Sequence, residues 1–194
     1  MNTSALRTIP ILFVLVVFFS APAGSQVLCL SEADDVAALQ LFERNINTYV
    51  ELHRGLAFPL SARRISSDPE AIARETEVLA RAIRAARPEA GRGDIFVPEV
   101  ADLIRFRLAN TTAAHDFVGI VLATRDEDAP AIPVPMVNRP VPWVGTSPVW
   151  PAILRVLPTL PLEIEYRFVN RDLILVDVDA NLVLDVLDEA LPPH

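Results

Sequence analysis

The chain contains no lysine. All 17 of its basic residues are arginine, and 25 carboxylates leave a formal charge of −8 across 194 residues. An acidic chain of this kind excludes sequence-independent nucleic-acid binding, which rests on neutralising phosphates with Lys and Arg. Every cationic contact it makes comes from a guanidinium fork. Cys29 is the only cysteine, so no disulfide forms within the chain. Glycine is scarce at six residues and histidine at three. No G-x-S-x-G, H-E-x-x-H, phosphate loop or paired-cysteine motif occurs, which removes the common sequence signatures of hydrolase, zinc and nucleotide chemistry. "RGD" at Arg92–Asp94 reads as the turn before a helix.

What is present begins with an export pattern. Arg7 is followed by an uninterrupted apolar run, Ile11 to Phe19, and then by "APAGSQ". Small residues at Ala21 and Ala23, or at Ala23 and Ser25, match signal-peptidase spacing. The run is shorter than the ~20 residues a membrane span needs. Residues 1–25 therefore read as a signal peptide, with an uncleaved N-terminal anchor as the alternative. Cys29 follows Leu28 and not a small residue, so lipid attachment is rejected.

Hydrophobic residues make up 52% of the chain and charged residues 22%, enough to bury a core. Residues 26–128 read as helical. In the first segment Ser31 with Asp34 opens an acidic capping box, and Gly55 reads as a terminator. Its stripe is Val36, Leu39, Phe42, Ile46, Tyr49, Val50, His53 and Leu56, at three- and four-residue steps. Ser67, Pro69 and Glu70 open the second segment, with Ile72, Leu79, Ile83 and Ala86 inward. Pro98 opens the third, with Val100, Leu103, Ile104 and Leu108 inward. From Thr112 to Ala123 a fourth helix competes with a strand, because "FVGIVLA" is rich in β-branched residues.

Composition then changes. Nine of the 17 prolines fall between Pro130 and Pro161, which rules out a continuous helix or a central strand there. Residues 129–161 also carry Val, Ile, Met and both tryptophans, Trp143 and Trp150. A free linker would be polar, so this stretch is expected to lie against the helices as a strap, with "PAILRVLP" as a short helical turn.

Residues 162–194 close the chain as a β-hairpin and a terminal helix, and 26–194 form one α+β domain. A three-residue loop, "NRD", pairs Phe168 with Ile174, Tyr166 with Val176 and Ile164 with Val178, giving one wholly apolar face. Asp172 then takes the left-handed loop position. Glu163, Glu165, Asp177 and Asp179 fall together on the opposite face. Like charges so opposed repel. The face is read first as solvated and relieved by arginine, and second as a site for a divalent cation, since hard cations use oxygen clusters, or for a basic partner. "DVDANLVLDVLD" fails as an EF-hand loop because Leu182 stands where glycine is required. Leu182, Val183, Val186, Leu187, Ala190 and Leu191 predict a C-terminal helix.

His53 lies on an apolar stripe and reads as a satisfied core residue. His115 beside Asp116 is the one base-like pair, although neighbours on a helix point apart. These features predict an exported, periplasmic or extracellular protein that is not an enzyme. It would bind an envelope or extracellular protein, or serve a structural role in the bacterial envelope or secretome. It would have no nucleic-acid partner, and no membrane attachment after cleavage. The alternative is a hydrolase-like exported enzyme using His115 or the hairpin carboxylates with a divalent cation.

Overall fold

The computed structural model describes residues 32–61, 68–123 and 132–192. The segment read as a leader with its cleavage site, Cys29, Ser31, Ser67 and His194 lie outside them. Within them the chain is α+β. Its helices are α1 (Glu32–Ser61), α2 (Pro69–Ala86), α3 (Pro98–Ala109), α4 (Thr112–Ala123) and the single turn α5 (Pro151–Leu154). Its strands are β1 (Thr146–Pro148), β2 (Ile164–Val169), β3 (Asp172–Asp177) and β4 (Leu182–Leu187), antiparallel in the order β1-β2-β3-β4. No described helix is long and apolar enough to cross a membrane.

The helices follow their stripes. Phe42, Ile46, Tyr49, Val50 and His53 of α1 are buried, as are Leu79 and Ile83 of α2 and Val100, Leu103, Ile104 and Leu108 of α3. Gly55 does not end α1, which continues to Ser61. An interior glycine costs only about 1 kcal/mol against alanine, less than the packing of a long amphipathic helix supplies. The cap of α2 is Asp68, whose side chain accepts from the Glu70 amide at 3.1 Å. Val36 of α1 and Ile72 and Ala86 of α2, all placed on the inward stripes, stay exposed.

Three expectations about the C-terminal half are corrected. The hairpin turns on two residues, not three: Val169 pairs with Asp172, Phe168 with Leu173, Arg167 with Ile174, Tyr166 with Leu175 and Ile164 with Asp177. Asn170, at φ 54°, takes the left-handed position in place of Asp172. The terminal helix is instead the strand β4, all six residues of which are buried. The strap packs on both layers: Val141, Ile132 and Val137 lie on the outer face of the sheet, and Val149, Trp150, Ile153 and Leu157 lie in the core shared with the helices.

One physical reason underlies all three: the sheet is covered on both faces. Ile164, Tyr166, Phe168, Leu173, Leu175 and Leu182 join the helices in the main core. Val169, Ile174, Val176, Val183 and Val186 form a second core on the opposite face, closed by Val141 with Ile132 and Val137 of the strap. A register judged by one apolar face loses its force when both faces are dry. Leu184 is an extra residue in β4, inserted between Asp185 opposite Leu175 and Val183 opposite Val176. The strap also guards the outer edge of β4. Asn138 N–H donates to Val183 O at 2.9 Å, and Val183 N–H to Arg139 O at 3.0 Å. Pairing an edge in this way removes an aggregation hazard. Farther along, Trp150 meets Phe117 of α4 edge to face at 5.1 Å, so that end of the strap does reach the helices. Trp143 is about half exposed, with Arg167 over its ring.

Candidate functional site

The alternation of β3 turns Leu173, Leu175 and Asp177 toward the helices. Asp177 is therefore not on an outer acidic face. It is fully buried. Its Oδ2 accepts from the Tyr49 hydroxyl at 2.5 Å and from His53 Nδ1 at 2.6 Å, and its Oδ1 accepts from the Ala180 amide at 2.7 Å. Tyr49 and His53 are four residues apart on α1 and so share one face. Asp177 supplies the acceptors these two buried donors need, and they supply the donors a buried carboxylate needs.

Of the other three carboxylates, Glu163 and Asp179 also lie near His53, and Glu165 does not join them. Glu163 is held by Arg54 at 2.6 Å. Glu165 is held by Arg167 at 2.7 Å on its own strand. Asp179, 39% exposed, brings Oδ2 to 3.5 Å from His53 Nε2. The four proposed cation ligands therefore do not converge. Among the described residues no group of three or more His, Cys, Asp or Glu is placed to hold a metal ion.

Electrostatics follow from this packing. Burial first, and then the charge and hydrogen bond of Asp177, hold the Tyr49 phenol far above its ordinary value, so Tyr49 is a fixed donor. The guanidinium of Arg87 lies over the Tyr49 ring, 5.1 Å from its centroid. The Arg54 hydrogen bond pulls the Glu163 carboxyl below its ordinary value against partial desolvation. At His53 desolvation is the largest single influence and lowers the pKa. The hydrogen bond and charge of Asp177, with the charges of Asp179 and Glu163, outweigh it, and the net shift is upward.

Chemically, the cluster holds a proton in the core. The far nitrogen of His53, which a general base would offer to a nucleophile, faces Asp179, and the ring is 2% exposed. His115 is exposed on α4, with Nε2 hydrogen-bonded to Ala109 O at 3.0 Å, a helix-end contact.

A second buried aspartate was missed by sequence reasoning. Asp185 of β4 is fully buried and faces the loop before α3. Its Oδ1 accepts from the Gly93 and Val186 amides at 2.9 and 2.7 Å, and its Oδ2 from the Ile95 and Phe96 amides, both at 2.8 Å. Desolvation raises its pKa, and the four amides only partly offset that. The "RGD" stretch is thus tied down: Gly93, at φ 84°, approaches Asp185, Arg92 pairs with Asp188, and Asp94 accepts from the Gly91 amide. The available signal was a lone aspartate inside an otherwise aliphatic run, "LVLDVL", which in a buried strand requires donors from elsewhere.

No family model matches the chain, and no curated protein and no solved structure shows significant similarity to it.

Proposed function

We propose that the mature chain is a non-enzymatic binding or structural protein that works outside the cytoplasm, in the bacterial envelope or secretome. The observation that carries this reading is the engagement of Asp177 and His53 with each other and with Tyr49 in the core. The residues best suited to acid–base chemistry are thereby committed to joining α1 to the sheet. The leader sequence supports export. Val134, Met136, Trp143 and Val144 of the strap are exposed, and exposed apolar and aromatic side chains are the material of protein interfaces.

The test has two arms. Intact-mass measurement of the protein recovered outside the cytoplasm is expected to give a chain beginning near Gly24 or Gln26; retention of the first 23 residues would overturn the cleaved leader. A photo-crosslinker placed at Val144 in the producing cell is expected to give one discrete protein adduct that the same group at Phe106, on α3, does not give. Turnover of a hydrolase substrate that is lost on His115→Ala would replace this reading with an enzymatic one.

A further inference from the structure

We infer that the strap surface carrying Arg139 and Trp143 binds an acidic, apolar segment of a protein partner, with a carboxylate of that partner on the Arg139 guanidinium. This names the partner chemistry of the proposed function and rests on that reading.

The first observation is where negative charge is missing. All 25 Asp and Glu side chains of the chain lie outside residues 129–162, whose only charged residues are Arg139 and Arg155. The strap is thus a carboxylate-free strip on a protein of formal charge −8. The arginines of neighbouring segments are already engaged. Arg92 pairs with Asp188, Arg167 with Glu165 and Arg171 with Glu189. Arg139 is exposed, and among the described residues no carboxylate pairs with it.

The second observation is that the exposed apolar side chains of the strap stand on a fastened backbone. Trp143 Nε1 donates to Asn181 Oδ1 at 2.7 Å, and the Arg167 guanidinium lies 5.4 Å from the centre of the indole. Nearly half of Trp143 is still exposed, as are Val134, Met136 and Val144. The backbone is held at several points. Arg92 Nη2 donates to Pro135 O at 3.0 Å, Asn138 Nδ2 to Arg87 O at 2.7 Å, and the Val141 amide to Asn181 O at 3.3 Å. A surface already ordered loses little conformational freedom on binding. Tryptophan and arginine are also among the residue types that dominate interface energetics.

Together these observations select the partner. A guanidinium takes a carboxylate through two parallel hydrogen bonds, and apolar side chains of the partner cover Val134, Met136, Trp143 and Val144. Elsewhere the surface is acidic and repels an acidic partner, so charge directs that partner to the strap. A long polyanion is disfavoured, because it extends from the strap onto the acidic remainder of the surface, within a Debye length of about 8–10 Å.

The test uses the full chain in the producing cell, with the photo-crosslinker at Val144 and the joined peptides sequenced by mass spectrometry. The contacted segment of the partner is expected to carry Asp or Glu among apolar residues. Arg139→Glu is expected to lower the adduct yield about tenfold through repulsion. Arg139→Lys, which keeps the charge, is expected to lower it less, and Arg44→Glu, the same charge change at an exposed position of α1, to leave it unchanged. The exposed side chain of Arg139 lets Arg139→Glu melt with the wild type in circular dichroism, so a drop in yield reports binding. Undiminished yield in Arg139→Glu, a contacted segment without carboxylates, or an adduct between two copies of this chain would overturn the inference and leave protein binding intact. Absence of any adduct from the wild type would remove the proposed function and this inference with it.

Discussion

Substituting Asp185 by alanine removes one side chain and strands several backbone donors. Four amides converge on its two oxygens, and those of Ile95 and Phe96 belong to fully packed residues. Each buried amide left unpaired costs about 1–3 kcal/mol. Two such groups suggest about 2–6 kcal/mol, and removing the desolvated carboxylate returns part of it. A net loss of about 3 kcal/mol corresponds to a fall in melting temperature of roughly 6–12 °C for a domain of this size. Thermal unfolding followed by circular dichroism at pH 7 measures it, and hydrogen exchange at Ile95 and Phe96 localises it. The loop before α3 is expected to lose protection while the helix core keeps its own. A variant within about 1 kcal/mol of the wild type, with both amides still protected, would refute the idea that Asp185 holds this loop.

The glycines and tryptophans give further tests. Gly55→Ala is expected to stabilise by about 1 kcal/mol, because a Cβ there meets nothing within 4 Å on an exposed helix face. Gly145→Ala is expected to destabilise by about 2 kcal/mol or more, since φ is +93° and the new Cβ would lie 2.7 Å from Ile132; chemical denaturation compares the two. With Trp143→Phe, the remaining Trp150, packed on Phe117, is expected to emit at shorter wavelength than Trp143 does in Trp150→Phe; equal emission maxima would contradict the docked end of the strap.

The helical half was legible because its burial is one-sided. Phe42, Ile46, Tyr49 and Val50, or Val100, Leu103, Ile104 and Leu108, recur at the helical period, and nothing in the fold obscures that signal. In the sheet the same reasoning misled. "LVLDVL" is buried at every position, and a continuous apolar run does not distinguish a strand from a buried helix by periodicity. The apolar face assigned to the hairpin joined Ile164, Tyr166 and Phe168 with Ile174 and Val176, which lie on opposite sides of the sheet. Sequence pattern gave no warning that the strap would cover the second side. Asp177 was misplaced for a related reason: a carboxylate was taken to face water. Its match was visible in His53 and Tyr49, two polar groups on the apolar stripe of α1 that required an acceptor in the core.

The account rests on Asp177 being a buried anchor while Glu165 stays partly solvated, and the pair Asp177→Asn and Glu165→Gln separates these roles. Breaking a buried charge pair by removing one partner costs about 3–5 kcal/mol, whereas a partly solvated ion pair such as Glu165 with Arg167 contributes about 0–1 kcal/mol. Urea denaturation at pH 6 is expected to show Asp177→Asn losing at least about 3 kcal/mol and Glu165→Gln remaining close to the wild type. Equal stabilities for the two variants, or a gain in stability for Asp177→Asn through relief of repulsion, would contradict the account and return Asp177 to an exposed acidic face.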